Sequence, residues 1–191
     1  MKSAIQTLLN WDNRWTHRLR MPPGKNARWY LMSISAHSGD PWYWLIGFSL
    51  AALLTNDGWQ EQAIIFVVSI FFLGILTTTL KYLFRRSRPV GSWGDIYRRV
   101  DPHSFPSGHA ARSAMLVVLG FGLGPSWLAG SLLLHAPFVI ISRVATGVHY
   151  LSDVIAGAAL GTLFGFFMLT IKPLILLYFL PLFQTIARTI F

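Results

Sequence analysis

The chain contains no cysteine and few acidic residues, with seven Asp and Glu against sixteen Lys and Arg. Without cysteine, disulfide bonds and thiolate metal sites are excluded, and the redox state of the compartment cannot be inferred. Only 12% of the 191 residues are charged, whereas 53% are hydrophobic and 15% aromatic. This balance lies outside the range usual for a soluble globular protein. The composition therefore predicts one membrane-embedded domain over residues 1–191.

Long stretches without charge predict the membrane-spanning helices, because a crossing helix needs about 20 mostly apolar residues. The uncharged stretches are 41–55, 63–80, 113–142, 154–171 and 173–187. The third is long enough for two helices that turn at Gly124-Pro125-Ser126, whereas the first and last need flanking residues to cross. We therefore expect an all-α integral membrane bundle of about five to six transmembrane helices over residues 41–191.

The N-terminal segment, residues 1–40, mixes aromatic and basic side chains. In and just after it stand Trp11, Trp15, Trp29, Tyr30 and Trp42, together with Lys2, Arg14, Arg18, Arg20, Lys25 and Arg28. Both kinds of side chain favour the headgroup layer of a bilayer. The Met21-Pro22-Pro23-Gly24 break divides the segment into two pieces. We therefore predict two interfacial helices that lie along the membrane surface.

The net charge of +9 does not predict nucleic-acid binding. The basic residues stand in polar segments between apolar stretches rather than along one soluble face. The membrane bilayer, with its anionic lipids, is the partner that this distribution favours, and we expect no nucleic-acid partner.

Gly157, Gly161 and Gly165 recur every four residues in the last strongly apolar stretch. They share one face of a helix, where small residues allow a neighbouring backbone to approach closely. We interpret this face as internal packing. An oligomer formed through the same face is the lesser alternative and is not predicted.

Pro106, Ser107 and Gly108 precede a run with helical apolar spacing, which predicts a helix start with Ser107 as N-cap. The exposed amides of such a start bind anions, and Gly108 lets the backbone come close to a phosphate. Taken alone, a plain helix cap would be the preferred interpretation.

His149 and Asp153 are four residues apart at the start of a predicted helix, so they lie on one face. Asp153 can accept the proton of one imidazole nitrogen and leave the other nitrogen free to attack. Alone, the pair could equally be a structural cap. His109 is then the candidate general acid.

Lys81, Arg88 and Arg143 supply the positive charge that phosphate oxygens require. Lys81 could alternatively extend to the headgroup layer, and Arg88 could be a solvated charge. We interpret the remaining loop arginines as solvated charges, with headgroup contact as the lesser alternative. They are Arg85, Arg86, Arg98, Arg99 and Arg112.

The remaining histidines have no clear partner pattern. His103 is assigned to a loop beside the site, and His17, His37 and His135 to packing or interfaces. A metal site of His103, His109, His149 and Asp153 is the competing use of these side chains. No HExxH spacing is present, and the fixed cations already supply charge, so we expect chemistry without a metal or another cofactor.

Together the motifs resemble the signature of the type 2 phosphatidic acid phosphatase superfamily. They read Lys81-x6-Arg88-Pro89, Pro106-Ser107-Gly108-His109 and Ser142-Arg143-x5-His149-x3-Asp153, with active-site loops at 81–112 and 142–153. The resemblance implies an all-helical bundle in which His149 becomes phosphohistidine, Asp153 orients it and His109 is the general acid. It also implies a phosphate-binding set of Lys81, Arg88, Ser107, Gly108 and Arg143. The chain departs from many members in lacking an apolar span before Trp29.

The expected function is hydrolysis of a lipid phosphomonoester or diphosphate, such as phosphatidate, phosphatidylglycerophosphate or undecaprenyl diphosphate. The expected location is a bacterial-type inner membrane, crossed several times. Basic residues near the first span favour a cytoplasmic site, whereas related bacterial enzymes commonly face the periplasm, so the side stays open. The alternatives are a lipid phosphotransferase using the same phosphohistidine, a vanadate-dependent haloperoxidase-like enzyme and a non-enzymatic lipid-binding protein.

Overall fold

The computed structural model describes residues 2–24, 26–55, 58–90 and 101–190, and within them the regular structure is helical. The helices are α1 (Lys2–Leu19), α2 (Ala27–Ser38), α3 (Pro41–Leu54), α4 (Gly58–Phe84), α5 (Gly108–Leu123), α6 (Ser126–Ala145), α7 (Leu151–Thr170) and α8 (Lys172–Ile190). The predicted all-α class is confirmed. The predictions for Lys25, Arg98 and Arg99 lie outside the described residues.

Four helices, α4, α6, α7 and α8, are long and apolar enough to cross a membrane, while α3 and α5 are shorter apolar helices. The last apolar stretch reaches this length because α8 includes flanking residues up to Ile190. Large hydrophobic side chains on these helices are exposed, among them Leu134 and Leu163. A helix bundle with an apolar outer surface is the expected form of a multi-pass membrane protein.

α2 packs against α6, and α3 packs against α4. At one end the N–H of Met21 donates to the carbonyl of Ala145 at 2.9 Å. Halfway along, Oγ of Ser38 lies 2.8 Å from Nε2 of His135. At the far end of α3, Nε2 of Gln60 donates to the carbonyl of Ala52 at 3.0 Å. Gly39 and Asp40 separate α2 from α3.

The helix α2 packs against α6 along one face. Its buried residues, Trp29, Met32, Ser35 and Ala36, share one helical face. On α6, Nη1 of Arg143 donates to the carbonyl of Ala36 at 3.5 Å. Aromatic and basic residues occur both on surface helices and on helices that pack against a neighbour. The sequence therefore did not indicate that α6 is the packing partner of α2. α1 keeps Trp11 and Trp15 exposed, as expected of an interfacial helix.

The glycine face of α7 packs against α5 of the same chain. A Cβ atom at Gly161 would lie 1.8 Å from the carbonyl oxygen of Ala111, and one at Gly157 would lie 2.4 Å from that of Ser107. The interpretation as internal packing is confirmed, and α5 occupies the face that an oligomer would need. This close approach also fixes the start of α5 against the start of α7.

The ends of α4 and α6 and the starts of α5 and α7 meet at one end of the bundle, called here the site end. The N–H of Ser107 donates to the carbonyl of Asp153 at 3.0 Å there. The opposite end carries Trp59 and Trp127, whose ring centroids are 6.1 Å apart. Tryptophan pairs of this kind are typical of a membrane interface.

Candidate active site

The turn between α6 and α7 brings His149 back beside Arg143. Gly147 has a φ of +73°, which glycine adopts without a steric penalty. The carbonyl of Arg143 then accepts the N–H groups of Val148 at 3.2 Å and of His149 at 3.1 Å. His149 and Arg143 are each only 1% exposed. The turn thus holds an imidazole and a guanidinium together inside the protein.

His149 lies between a carboxylate and a cation. Its Nδ1 is 3.5 Å from Oδ2 of the fully buried Asp153, and its Nε2 is 3.1 Å from Nη1 of Arg88. The first distance is longer than an ordinary hydrogen bond. Burial lowers the pKa of His149 to about 3, although the contact with Asp153 opposes this shift. The imidazole is therefore neutral near pH 7, the form that can attack.

Lys81 and Arg88 meet at Asp101, a residue that the sequence analysis did not single out. Lys81 forms an ion pair with Oδ2 of Asp101, and Nη2 of Arg88 donates to the same oxygen at 2.8 Å. Arg88 also donates through Nη1 to the carbonyl of Val148 at 2.9 Å, and it is buried rather than solvated. Burial alone would raise the pKa of Asp101, but Lys81 and Arg88 outweigh it and hold the pKa below its usual value. Asp101 is therefore an ionised partner of two phosphate-binding candidates.

Ser107 caps α5 as predicted, since its side chain accepts the N–H of Ala110 at 3.4 Å. Ser107 is fully buried. The first amides of a helix have no acceptor within it, so the N–H groups of Gly108 and His109 are suited to an anion. The start of α5 can therefore contribute backbone donors beside His149.

His109 contacts a carboxylate from the break between α2 and α3. Its Nε2 lies 2.8 Å from Oδ1 of Asp40. The other oxygen of Asp40 lies 3.4 Å from Nδ1 of His37, which is half exposed. The distance of 69 residues between Asp40 and His109 explains why no sequence spacing indicated this pair.

The interpretation of Arg86 and Arg112 as plain exposed charges was wrong. Nη1 of Arg86 donates to Oδ1 of Asp153 at 2.7 Å, and its Nη2 donates to Oδ2 of Asp12 at 2.6 Å. Arg112 is 7% exposed and donates through Nε to the carbonyl of Gly39 at 3.1 Å. Both guanidinium groups turn inward because each has an acceptor there. Arg85 is exposed, as expected.

The other histidines have contacts of their own, and His103 lies on a loop beside the site, where it forms a β-bridge with Ser87. His103 packs on Tyr82, with ring centroids 5.4 Å apart, His17 is exposed and His135 contacts Ser38 and Trp44. Within the described ranges, no group of three or more His, Asp or Glu is close enough to hold a metal ion. The competing set of His103, His109, His149 and Asp153 is thus not gathered around one point.

Comparison with known proteins shows the same family signature. Residues 62–176, more than half of the chain, match the family model of the PAP2 superfamily. The lipid A 1-phosphatase of Porphyromonas gingivalis is 32% identical over 113 residues, which cover 58% of this chain and 24% of that protein. The undecaprenyl-diphosphatase of Sulfolobus acidocaldarius is 30% identical over 125 residues, which cover 64% of this chain and 61% of that protein. The chain thus spans less than two thirds of the length of these relatives.

Two solved structures have a similar fold. The PAP2-type phosphatidylglycerolphosphate phosphatase of Bacillus subtilis superposes with a TM-score of 0.63 at 22% identity, over 86% of this chain and 84% of that one. LpxE of Aquifex aeolicus gives a TM-score of 0.61 at 23% identity, over 77% of this chain and 88% of that one. Both likenesses support the helical membrane fold.

Proposed function

The chain belongs to the PAP2 superfamily, and from this premise we propose that it is an integral membrane lipid phosphatase. Its substrate would be a lipid with a terminal phosphomonoester or diphosphate, such as phosphatidate, phosphatidylglycerophosphate or undecaprenyl diphosphate. The observation that carries the proposal is the buried, neutral His149 between Asp153 and Arg88. The names of two relatives, a lipid A 1-phosphatase and an undecaprenyl-diphosphatase, agree with a phosphorylated lipid as substrate.

In the first step, Nε2 of His149 attacks the phosphorus atom. A nitrogen–phosphorus bond forms, and the bond between phosphorus and the lipid oxygen breaks. Asp153 accepts the N–H at Nδ1 and stabilises the positive charge that develops on the imidazole. His109 donates a proton to the departing lipid oxygen. The product of this step is a phosphohistidine.

Cations and backbone amides held by the fold stabilise the negative charge on the phosphoryl oxygens. Lys81, Arg88 and Arg143 provide cations, and the start of α5 at Ser107 and Gly108 provides backbone amides. Arg88 is already positioned by its bond to the carbonyl of Val148. Preorganised donors of this kind stabilise the transition state without a metal ion.

In the second step, His109 takes a proton from a water molecule that attacks the phosphohistidine. The nitrogen–phosphorus bond breaks, inorganic phosphate leaves and His149 returns to its neutral form.

We place the protein in the cell membrane, with the lipid headgroup entering the site end from the bilayer surface.

Phosphate release from the purified protein in detergent, with a chelator present, tests the proposal. The substrates are phosphatidate, phosphatidylglycerophosphate, undecaprenyl diphosphate and lipid A. We expect release from at least one lipid, and a loss of roughly a thousandfold or more in His149→Ala, because the nucleophile has no substitute. His17→Ala is the matched control, since His17 is exposed on α1, and it should keep full activity.

Rapid quenching with radiolabelled substrate should show an acid-labile phosphoprotein in the wild type and none in His149→Ala. Equal phosphate release from wild type and His149→Ala would refute the histidine mechanism. Lack of release from all four lipids would refute the hydrolase.

A further inference from the structure

We propose that Asp40 is the positioning residue of the general acid, holding Nε2 of His109 so that Nδ1 faces the departing lipid oxygen. This inference rests on the proposed function, because it requires His109 to protonate the leaving group. It makes the break between α2 and α3 part of the active site.

The contact between Asp40 and His109 is the first support. Its length of 2.8 Å is that of a strong, charge-assisted hydrogen bond. It mirrors the arrangement at His149, where Asp153 faces Nδ1 and leaves Nε2 for the phosphorus atom. At His109 the carboxylate takes Nε2 instead, so Nδ1 is the nitrogen left for proton transfer. Each catalytic imidazole thus has its own orienting carboxylate.

The backbone that carries Asp40 is the second support, because it is fixed on both sides. Arg112, one turn after His109, donates through Nε and Nη2 to the carbonyl of Gly39. A Cβ atom at Gly39 would lie 2.6 Å from Cγ1 of Val139 and 3.0 Å from Cδ2 of His109. No side chain larger than hydrogen fits there without displacement. Asp40 is therefore held at one distance from the imidazole.

The direction of the Asp40 side chain is the third support. Asp40 is the N-cap of α3, a position where aspartate usually accepts an amide of its own helix. Among the described residues of α3, none of the first amides donates to this carboxylate. The side chain turns to His109 and, at 3.4 Å, to His37. Asp40 therefore holds the N-cap position of α3, but its carboxylate contacts His109 instead of an amide of α3.

The charges around His109 show what Asp40 contributes. The charged and titratable groups that act on His109 include Arg143, Arg112, His149 and Lys81. All of these are basic, and Asp40 is the carboxylate in direct contact. A neighbouring carboxylate favours the protonated imidazole, whereas neighbouring cations oppose it. Asp40 therefore supplies the charge that an acid catalyst needs in this basic surrounding.

Leaving-group dependence tests this role. A lipid alkoxide must be protonated as it departs, whereas p-nitrophenolate is a stable anion that leaves without a proton. Loss of a general acid therefore slows formation of the phosphohistidine from a lipid far more than from p-nitrophenyl phosphate. A purely structural defect at Asp40 would slow both reactions equally.

The experiment compares wild type with Asp40→Asn, both as purified full-length protein, on a lipid phosphomonoester from the active panel and on p-nitrophenyl phosphate. For Asp40→Asn we expect kcat/KM on the lipid to fall about a hundredfold, within the range typical of general acid catalysis. We expect kcat/KM on p-nitrophenyl phosphate to fall less than about threefold, because kcat/KM reports formation of the phosphohistidine, which needs no acid when p-nitrophenolate leaves. His109→Gln should give the same pattern, and the double variant should lose no more than His109→Gln alone.

Glu61→Gln is the matched control, because it removes one carboxylate from the first turn of α4 at the opposite end and should change neither rate. Should Asp40→Asn not purify, Asp40→Glu keeps the charge but displaces it by one methylene and should show a smaller loss of the same selectivity. Equal losses on both substrates, or no loss on either, would overturn the inference. These outcomes differ from failure of the proposed function, in which the wild type releases no phosphate or His149→Ala retains release.

Discussion

The carboxylate of Asp153 is shared, and His149 is not its closest partner. Arg86 donates to Oδ1 at 2.7 Å and the N–H of Tyr150 donates to Oδ2 at 2.9 Å, whereas Nδ1 of His149 is 3.5 Å away. Arg86 in turn is held by Asp12 of α1, which also accepts the N–H of Ser152 at 3.0 Å. The orientation of the proposed nucleophile therefore depends on the N-terminal helix.

We predict that Arg86→Gln lowers kcat by about tenfold to a hundredfold, since the buried Asp153 loses a charged partner worth roughly 1.5–3 kcal/mol. KM should change little, because Arg86 contacts the carboxylate and not the phosphate site. Steady-state kinetics on the preferred lipid provide the measurement. Arg85→Gln is the control, because the neighbouring Arg85 is exposed. A rise in KM at unchanged kcat would instead make Arg86 a phosphate ligand.

Asp101 forms ion pairs with Lys81 and Arg88, the two cations that we expect to bind the phosphate. Removing its charge should free Lys81 and Arg88, so we predict that Asp101→Asn tightens product inhibition by inorganic phosphate. The expected decrease in the inhibition constant is about threefold to tenfold, which corresponds to roughly 0.7–1.4 kcal/mol. Because the pKa of Asp101 is held below its usual value, the effect should persist across the neutral range. Weaker inhibition would mean that Asp101 supports the phosphate site.

The sequence predicted the contact between His149 and Asp153, but it did not indicate the other carboxylates near the candidate site. His149 precedes α7 and Asp153 lies in its first turn, so their four-residue spacing was visible in the sequence. Asp12 reaches Arg86 across 74 residues of chain, and Asp40 and Asp101 likewise come from separate segments. Partners of this kind depend on tertiary packing, which residue spacing does not reveal.

At the level of helices, internal packing of the glycine face of α7 was predicted from the four-residue spacing, whereas its partner α5 was not. The structure shows how little room this contact leaves, with the carbonyl of Ala111 almost at the position of a Gly161 side chain. The packing of α2 against α6 was not predicted, because the composition of residues 27–38 does not indicate which helix it contacts. Its partner, the second half of α6, is known only from the fold.

We predict that Gly161→Ala destabilises the protein by at least about 1–3 kcal/mol, because overpacking here pushes one backbone away from another. Activity should fall as well, since the same contact sets Ser107 against Asp153. Gly130→Ala on α6 is the matched control, because a Cβ atom there meets no atom within 4 Å. Thermal unfolding in detergent measures both variants. Equal midpoints for the two would contradict the close packing of α5 and α7.

The whole molecule is organised by the number of times the chain crosses the membrane. We predict that from α1 to Val90 the chain crosses the membrane twice, first through α2 and α3 together and then through α4. We predict a third crossing through α5 before Ser126. An even number returns the chain to its starting side, so α1 and the site end should lie on one side of the membrane and Ser126 on the other.

The absence of cysteine makes this arrangement directly testable with the single substitutions Gln6→Cys, Val90→Cys and Ser126→Cys. All three positions are exposed, so an impermeant maleimide applied to intact cells and then to opened cells should report their sides. We expect positions 6 and 90 to be labelled from the same side and position 126 from the other. Leu134→Cys is the control, because this residue is 72% exposed but faces lipid and should stay unlabelled. If α2 lay on the surface and α3 failed to cross, positions 6 and 90 would be labelled from opposite sides.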